Sequence, residues 1–188
     1  MAGSPNNANA SVSAKIRRCE LPPGALLGKY QRGNTYADCY VTEVAWHVSH
    51  AEYVEAFYTT GLFKVERLLL AWLISKLSTD AEASLLAAGS LDSFAAWRVE
   101  ARDADQLLMA DLRGRTRSWL MVVAVPGNAA GGTRLYFGSA VVPVASARSG
   151  TPALGLVFRL LLGFHQLYSR ALLFAAKSRL ARLQRTGP

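Results

Sequence analysis

A chain of 188 residues, 51% of them hydrophobic, is long enough to bury one core and too short to need a second. Two cysteines, Cys19 and Cys39, are too few for a disulfide framework or a cysteine metal site, so free thiols in a reducing, cytoplasmic setting are expected. The N-terminus, MAGSPNNANASVSAKIRRCELPPG, has no apolar run of the kind a signal peptide carries.

The net charge of +8 is unevenly spread. All 13 acidic residues lie at or before Asp111, whereas residues 112–188 carry 11 Lys or Arg and no acid. The first 111 residues have a net charge of −3. Such polarity favours an anionic partner, whether a lipid headgroup, a nucleic acid or an acidic ligand, unless the cations only solvate outer faces.

In chain order, residues 1–36, which include the Pro22-Pro23-Gly24 breaker, read as a flexible arm, and 37–188 as a single domain. Ala37 to His47, ADCYVTEVAWH, is rich in β-branched and aromatic residues and reads as a strand with Tyr40, Thr42, Val44 and Trp46 on one face. Ser49 and Glu52 form a capping box that starts a helix, and Gly61 ends it. A second apolar helix is expected over Leu62 to Leu77, with Val65, Leu69, Trp72 and Leu73 at helical spacing. A third runs from about Asp80 to Gly89.

From Phe94 the period changes to 2. Trp97 and Val99 alternate with Arg98 and Glu100, and turns at Arg102 to Asp105 and at Arg113-Gly114 separate strands up to Leu112 and over Arg115 to Val125. The loop from Pro126 to Gly132 leads into a strand over Thr133 to Val144. Ala153 to Leu183 then returns to period 3.6: Val157, Leu161, Phe164, Tyr168, Leu172 and Ala175 share one side, Arg159, Gln166, Arg170 and Lys177 the other. At about 1.5 Å per residue this helix can cross a small sheet, but its charges argue against a membrane span.

The expected fold is therefore α+β: an antiparallel sheet of five strands, helices inserted after the first, and the long C-terminal helix packed across it as a helix-grip. This order of elements over residues 37–183 resembles the START-like superfamily, which includes Bet v 1-type proteins and polyketide cyclases. The run FAAWRVEARDADQLLMADLRGRTRSWLMV with TRLYFGSAVVP is also similar to a family of uncharacterised bacterial proteins near that superfamily. The five strands counted are fewer than the seven or so of a full member, which implies a trimmed sheet and a small cavity or none.

Candidate chemistry is sparse. His47 and His50 lack a third metal ligand, and no P-loop, nucleophile-elbow or dinucleotide fingerprint occurs, so no metal or cofactor is expected. His165 reads either as a neutral histidine at the edge of the apolar face or as a general acid or base. Arg115 and Arg117 share a strand face with Trp119, as an anion-holding patch or as stems covering the indole.

Aromatic residues from every element, Tyr40, Tyr53 and Phe57 among them, can converge between sheet and helix. The expected ligand site comprises Trp46, Trp72, Trp97, Tyr136, Phe164, His165 and Tyr168, taking an apolar or amphipathic small molecule or lipid. One alternative is a cyclase- or dehydratase-type enzyme using His165, Tyr168 or an arginine in that cavity. A second is peripheral binding to an anionic membrane through Arg170, Lys177, Arg179, Arg182 and Arg185. Nucleic acid is disfavoured, because the cations are spread and no recognised module is present. Oligomeric state is left open.

Overall fold

The computed structural model describes residues 15–31, 35–64, 78–126, 131–142 and 154–186, with no side-chain description for 154–165. The expected helix over Leu62 to Leu77, and Trp72 with it, falls almost wholly outside these residues.

Seven strands form one sheet: β1 (Arg17–Arg18), β2 (Tyr36–Val44), β3 (Ser93–Phe94), β4 (Trp97–Asp103), β5 (Gln106–Asp111), β6 (Thr116–Val125) and β7 (Gly132–Val141). Their spatial order is β1-β2-β7-β6-β5-β4-β3, and every pair is antiparallel. Among the described residues three α-helices accompany them: α1 (His50–Tyr58), α2 (Asp80–Ala87) and α3 (Leu154–Thr186). The α+β architecture with helices after the first long strand and a long C-terminal helix on the sheet is thus as expected.

Local chemistry starts the helices. Ser49 accepts from the Glu52 amide while Glu52 reaches back to the cap, and Thr79 and Glu82 repeat that box at α2. A register shift between Val99 and Ala101 turns Arg102 toward α2, where it donates to the carbonyls of Leu86 and Leu91 at 2.7 and 3.1 Å. One side chain so satisfies a C-terminal carbonyl of α2 and fixes the loop after it.

The strand count and the arm need correction. The two extra strands, β1 and β3, are only two residues long, too short to show a period of 2. Residues 15–31, expected in the flexible arm, are packed: β1 pairs with β2, and a 3-10 helix over Leu26–Gln31 inserts Leu27, fully buried, against the sheet.

The sheet consequently has two covered faces. On one, Tyr40, Val44, Leu107, Leu120, Leu135 and Phe137 meet α1 and Leu172, Leu173, Ala176 and Leu180 of α3. On the other, Cys39, Val41, Leu108, Trp119, Met121, Tyr136 and Ala140 are covered by Leu27. Burying both faces is what lets a small domain hide this much apolar surface.

Candidate functional site

The gap between sheet and C-terminal helix is a cavity of about 200 Å³. α1 contributes Phe57, with Phe63 just after it; β4, β6 and β7 contribute Trp97, Ser118, Phe137 and Ser139; and α3 contributes Tyr168, Ser169 and Leu172. Alternation along the strands puts these residues here: Ser118 pairs with Ser139 and Leu120 with Phe137, so both pairs point at the helix. Small hydroxyl residues at 118, 139 and 169 leave the space that larger side chains would fill.

The walls are aromatic and packed. The Phe57 ring lies 5.0 Å from that of Phe137 and 6.1 Å from that of Phe63, which stacks on Phe94 at 6.2 Å. The polar end is a short chain: Ser139 donates to Asp38 Oδ1 at 2.5 Å, Tyr36 donates to Asp38 Oδ2 at 3.3 Å, and Gln166 Nε2 donates to the Tyr36 hydroxyl at 2.9 Å. Asp38 is buried, and beside it the Tyr40 hydroxyl is pushed up to about 12, first by burial and then by the Asp38 charge. Trp97 brings a buried indole N–H with no hydrogen-bond partner among the described residues.

Of the expected ligand residues, Trp97 and Tyr168 meet at this cavity. Trp46 packs on the same core but lines a separate cleft with Leu180 and Leu183 near the end of α3. Tyr136 is on the opposite face, 6.2 Å from Trp119, and so cannot line a space under the helix. The side chains of Phe164 and His165 lie outside the described residues, as does Trp72.

Trp119 likewise forms no surface patch with Arg115 and Arg117. It is fully buried and donates from Nε1 to Gln106 Oε1 at 2.9 Å. Arg117 pairs with Glu100 at 2.5 Å, donates to the Tyr30 hydroxyl at 2.8 Å and sits 4.8 Å over the Tyr30 ring. Those contacts hold Glu100 below the usual carboxylate range despite its partial burial: Lys29 and Tyr30 donate to it, and Arg117 and Lys29 supply positive charge. Sequence reasoning missed Asp38, Ser118, Ser139 and Ser169; the one signal available was their polarity within apolar runs.

A second concavity runs along the outer side of α3. It is an open groove of about 860 Å³ formed by Lys15 and Ile16 with Leu167, Arg170, Phe174, Lys177, Arg182 and Arg185. Leu167 and Phe174 are exposed at 67% and 63%. Four of the five basic residues expected at an anionic surface line it, Lys177 with its ammonium on Thr42 Oγ1 at 3.2 Å. Burial lowers the Lys177 ammonium from its usual range. The fifth, Arg179, is half-buried and turned away from the groove.

No helix among the described residues is long and apolar enough to cross a membrane. The chain matches no family model and no curated protein.

Proposed function

We propose that the protein binds a small amphipathic molecule in the cavity beneath its C-terminal helix, in the manner of a START-like helix-grip protein. The observation that carries this reading is the make-up of that cavity: aromatic walls, three serine hydroxyls, and the unpartnered indole N–H of Trp97. An apolar body would pack on Phe57, Phe63 and Phe137, and a single acceptor on the guest would take the Trp97 proton. The described lining offers hydroxyls, an indole N–H and Arg117, whose guanidinium is taken up by Glu100 and the Tyr30 hydroxyl, and it holds no carboxylate; with Asp38 behind Ser139, this lining suits holding a guest better than acid–base turnover.

Titration of the full chain with 2-naphthol and with naphthalene, followed by tryptophan fluorescence and thermal shift, tests this. Both should bind. Trp97→Phe should weaken 2-naphthol by about tenfold, the worth of one hydrogen bond, and leave naphthalene unchanged. Ser118→Leu, which fills the cavity, should abolish both. Binding that survives Ser118→Leu in a folded protein would put the guest elsewhere.

A second reading rests on the groove. Five cations, Lys15, Arg170, Lys177, Arg182 and Arg185, surround two exposed apolar side chains, and no acid stands among the described lining. That combination suits the surface of an anionic bilayer, with Leu167 and Phe174 entering the headgroup layer.

A further inference from the structure

The two cysteines that the sequence treats as unrelated are neighbours. Cys19 follows β1 and stands opposite Cys39 of β2, its amide donating to the Cys39 carbonyl at 3.0 Å. Directly opposed residues of this kind in an antiparallel ladder have Cα atoms about 5.5 Å apart, inside the range a disulfide spans. The sulfurs are 3.3 Å apart, and both thiols are free.

The two thiols also differ. Cys19 is half-buried, whereas Cys39 is buried in the second core beside Val41. The hydrogen bond between them holds the Cys19 thiol below its usual range, helped by the charges of Arg17 and Arg134 and opposed by burial. The same hydrogen bond, with burial and the Asp38 charge, pushes Cys39 up. A half-buried thiol held below its usual range, backed by a buried thiol 3.3 Å away, is the arrangement of an attacking and a resolving cysteine.

We propose that Cys19 and Cys39 form a peroxide-responsive thiol pair that closes to a disulfide. The Cys19 thiolate attacks one oxygen of hydrogen peroxide, the O–O bond breaks, and hydroxide leaves, giving a sulfenic acid on Cys19. The Cys39 sulfur then attacks the Cys19 sulfur, the S–O bond breaks, and the second hydroxide leaves. The two thiol protons convert both hydroxides to water, so two thiols and one peroxide become one disulfide and two waters. The new bond ties β1, an edge strand only two residues long, covalently to β2. It also fixes the segment that carries Lys15 and Ile16, one wall of the groove along α3.

The full chain treated with hydrogen peroxide, then mapped by intact mass and non-reducing peptide digestion, tests the proposal. The expected result is loss of two hydrogens, both thiols gone, and a joined peptide containing Cys19 and Cys39. Cys39→Ser should stop at a dimedone-reactive sulfenic acid on Cys19, and Cys19→Ser should leave Cys39 a thiol. Over-oxidised Cys19 beside an intact Cys39 thiol in the wild type would overturn the pair. Oxidation of Cys39 in Cys19→Ser at the wild-type rate would overturn the assigned roles.

Discussion

The Cδ2 methyl of Leu27 stands 2.7 Å from the point that a Cβ on Gly138 would occupy. Trp119 Cε3 is 2.9 Å from that point and the Asp38 carbonyl oxygen 3.1 Å. Gly138 sits in the middle of β7, where glycine normally weakens a strand; here its bare Cα is the seat of the 3-10 helix. Gly138→Ala should therefore cost about 1 to 3 kcal/mol by overpacking. Leu27→Ala should cost about 2 to 5 kcal/mol by leaving a cavity. The double variant should be less destabilised than the two added together, because the new methyl fills the space of the lost one. Urea denaturation of the four proteins measures the coupling, and additive losses would mean that Leu27 and Gly138 are not in contact.

Gln106 ties the same layer together with one side chain. Its Oε1 accepts from the Leu26 amide and from Trp119 Nε1, both at 2.9 Å, and its Nε2 donates to the Gly24 carbonyl at 3.2 Å. Gln106→Leu keeps the volume and strands three polar groups, of which the Trp119 indole N–H is buried. The expected loss is on the order of 3 kcal/mol, with Gln106→Glu intermediate because it keeps the acceptor. A loss below about 1 kcal/mol on thermal and chemical denaturation would show that water replaces the bonds.

How far the sequence foretells this layer depends on which physical signal each element leaves. β4 alternates Trp97 and Val99 with Arg98 and Glu100, because one of its faces meets water, and it is legible. β7 reads Leu135-Tyr136-Phe137, apolar on both sides because both faces are covered, so nothing in the sequence says that Tyr136 points away from the helix. The 3-10 helix has only Leu26 and Leu27 to mark it, too few for any period. α3 was legible in extent but slightly rotated: Leu172, Leu173, Ala176 and Leu180 are buried, whereas Ala175 is only half-buried and Phe174 is exposed. The serines of the cavity stand out in the sequence only as polar residues within apolar runs, and it is the pairing of Ser118 with Ser139 that brings those two together.

Stability should fall as pH drops through the range in which histidine titrates. His50, at the start of α1, has its imidazole pushed down to about 4, mainly by burial, with Arg102 adding to the effect and Asp105 opposing it. Its Nε2 is buried without a hydrogen-bond partner among the described residues. Above about pH 6.5 His50 is neutral in both states and contributes no slope. Between about pH 6.5 and 4 the unfolded chain binds a proton that the folded chain does not, so the unfolded state gains. The loss should reach on the order of 2 kcal/mol, and His50→Gln should flatten the curve between about pH 6.5 and 5, above the carboxylate range. An unchanged slope in His50→Gln would assign the titration elsewhere.

Adjacent residues on α3 should separate folding from surface binding. Leu173 is fully buried against the core and Phe174 is 63% exposed in the groove. Leu173→Ala should cost about 2 to 5 kcal/mol. Phe174→Ala should leave stability within about 0.5 kcal/mol. If the groove meets an anionic bilayer, Phe174→Ala should nevertheless weaken sedimentation with phosphatidylserine vesicles, since its ring is the larger exposed apolar group there. A variant carrying Arg170→Gln, Arg182→Gln and Arg185→Gln should lose roughly 1 kcal/mol for each cation that contacts a headgroup. Wild-type binding should also decline from low to high salt as the Debye length shortens from about 30 to 3 Å. Lys177 is left out of that variant because its ammonium is bonded to Thr42, so a loss there would mix stability with binding. Binding to phosphatidylserine vesicles no better than to phosphatidylcholine vesicles, in a protein whose Phe174→Ala variant behaves identically, would remove the bilayer from consideration. The proposal of a guest in the cavity beneath α3 would be untouched by that result.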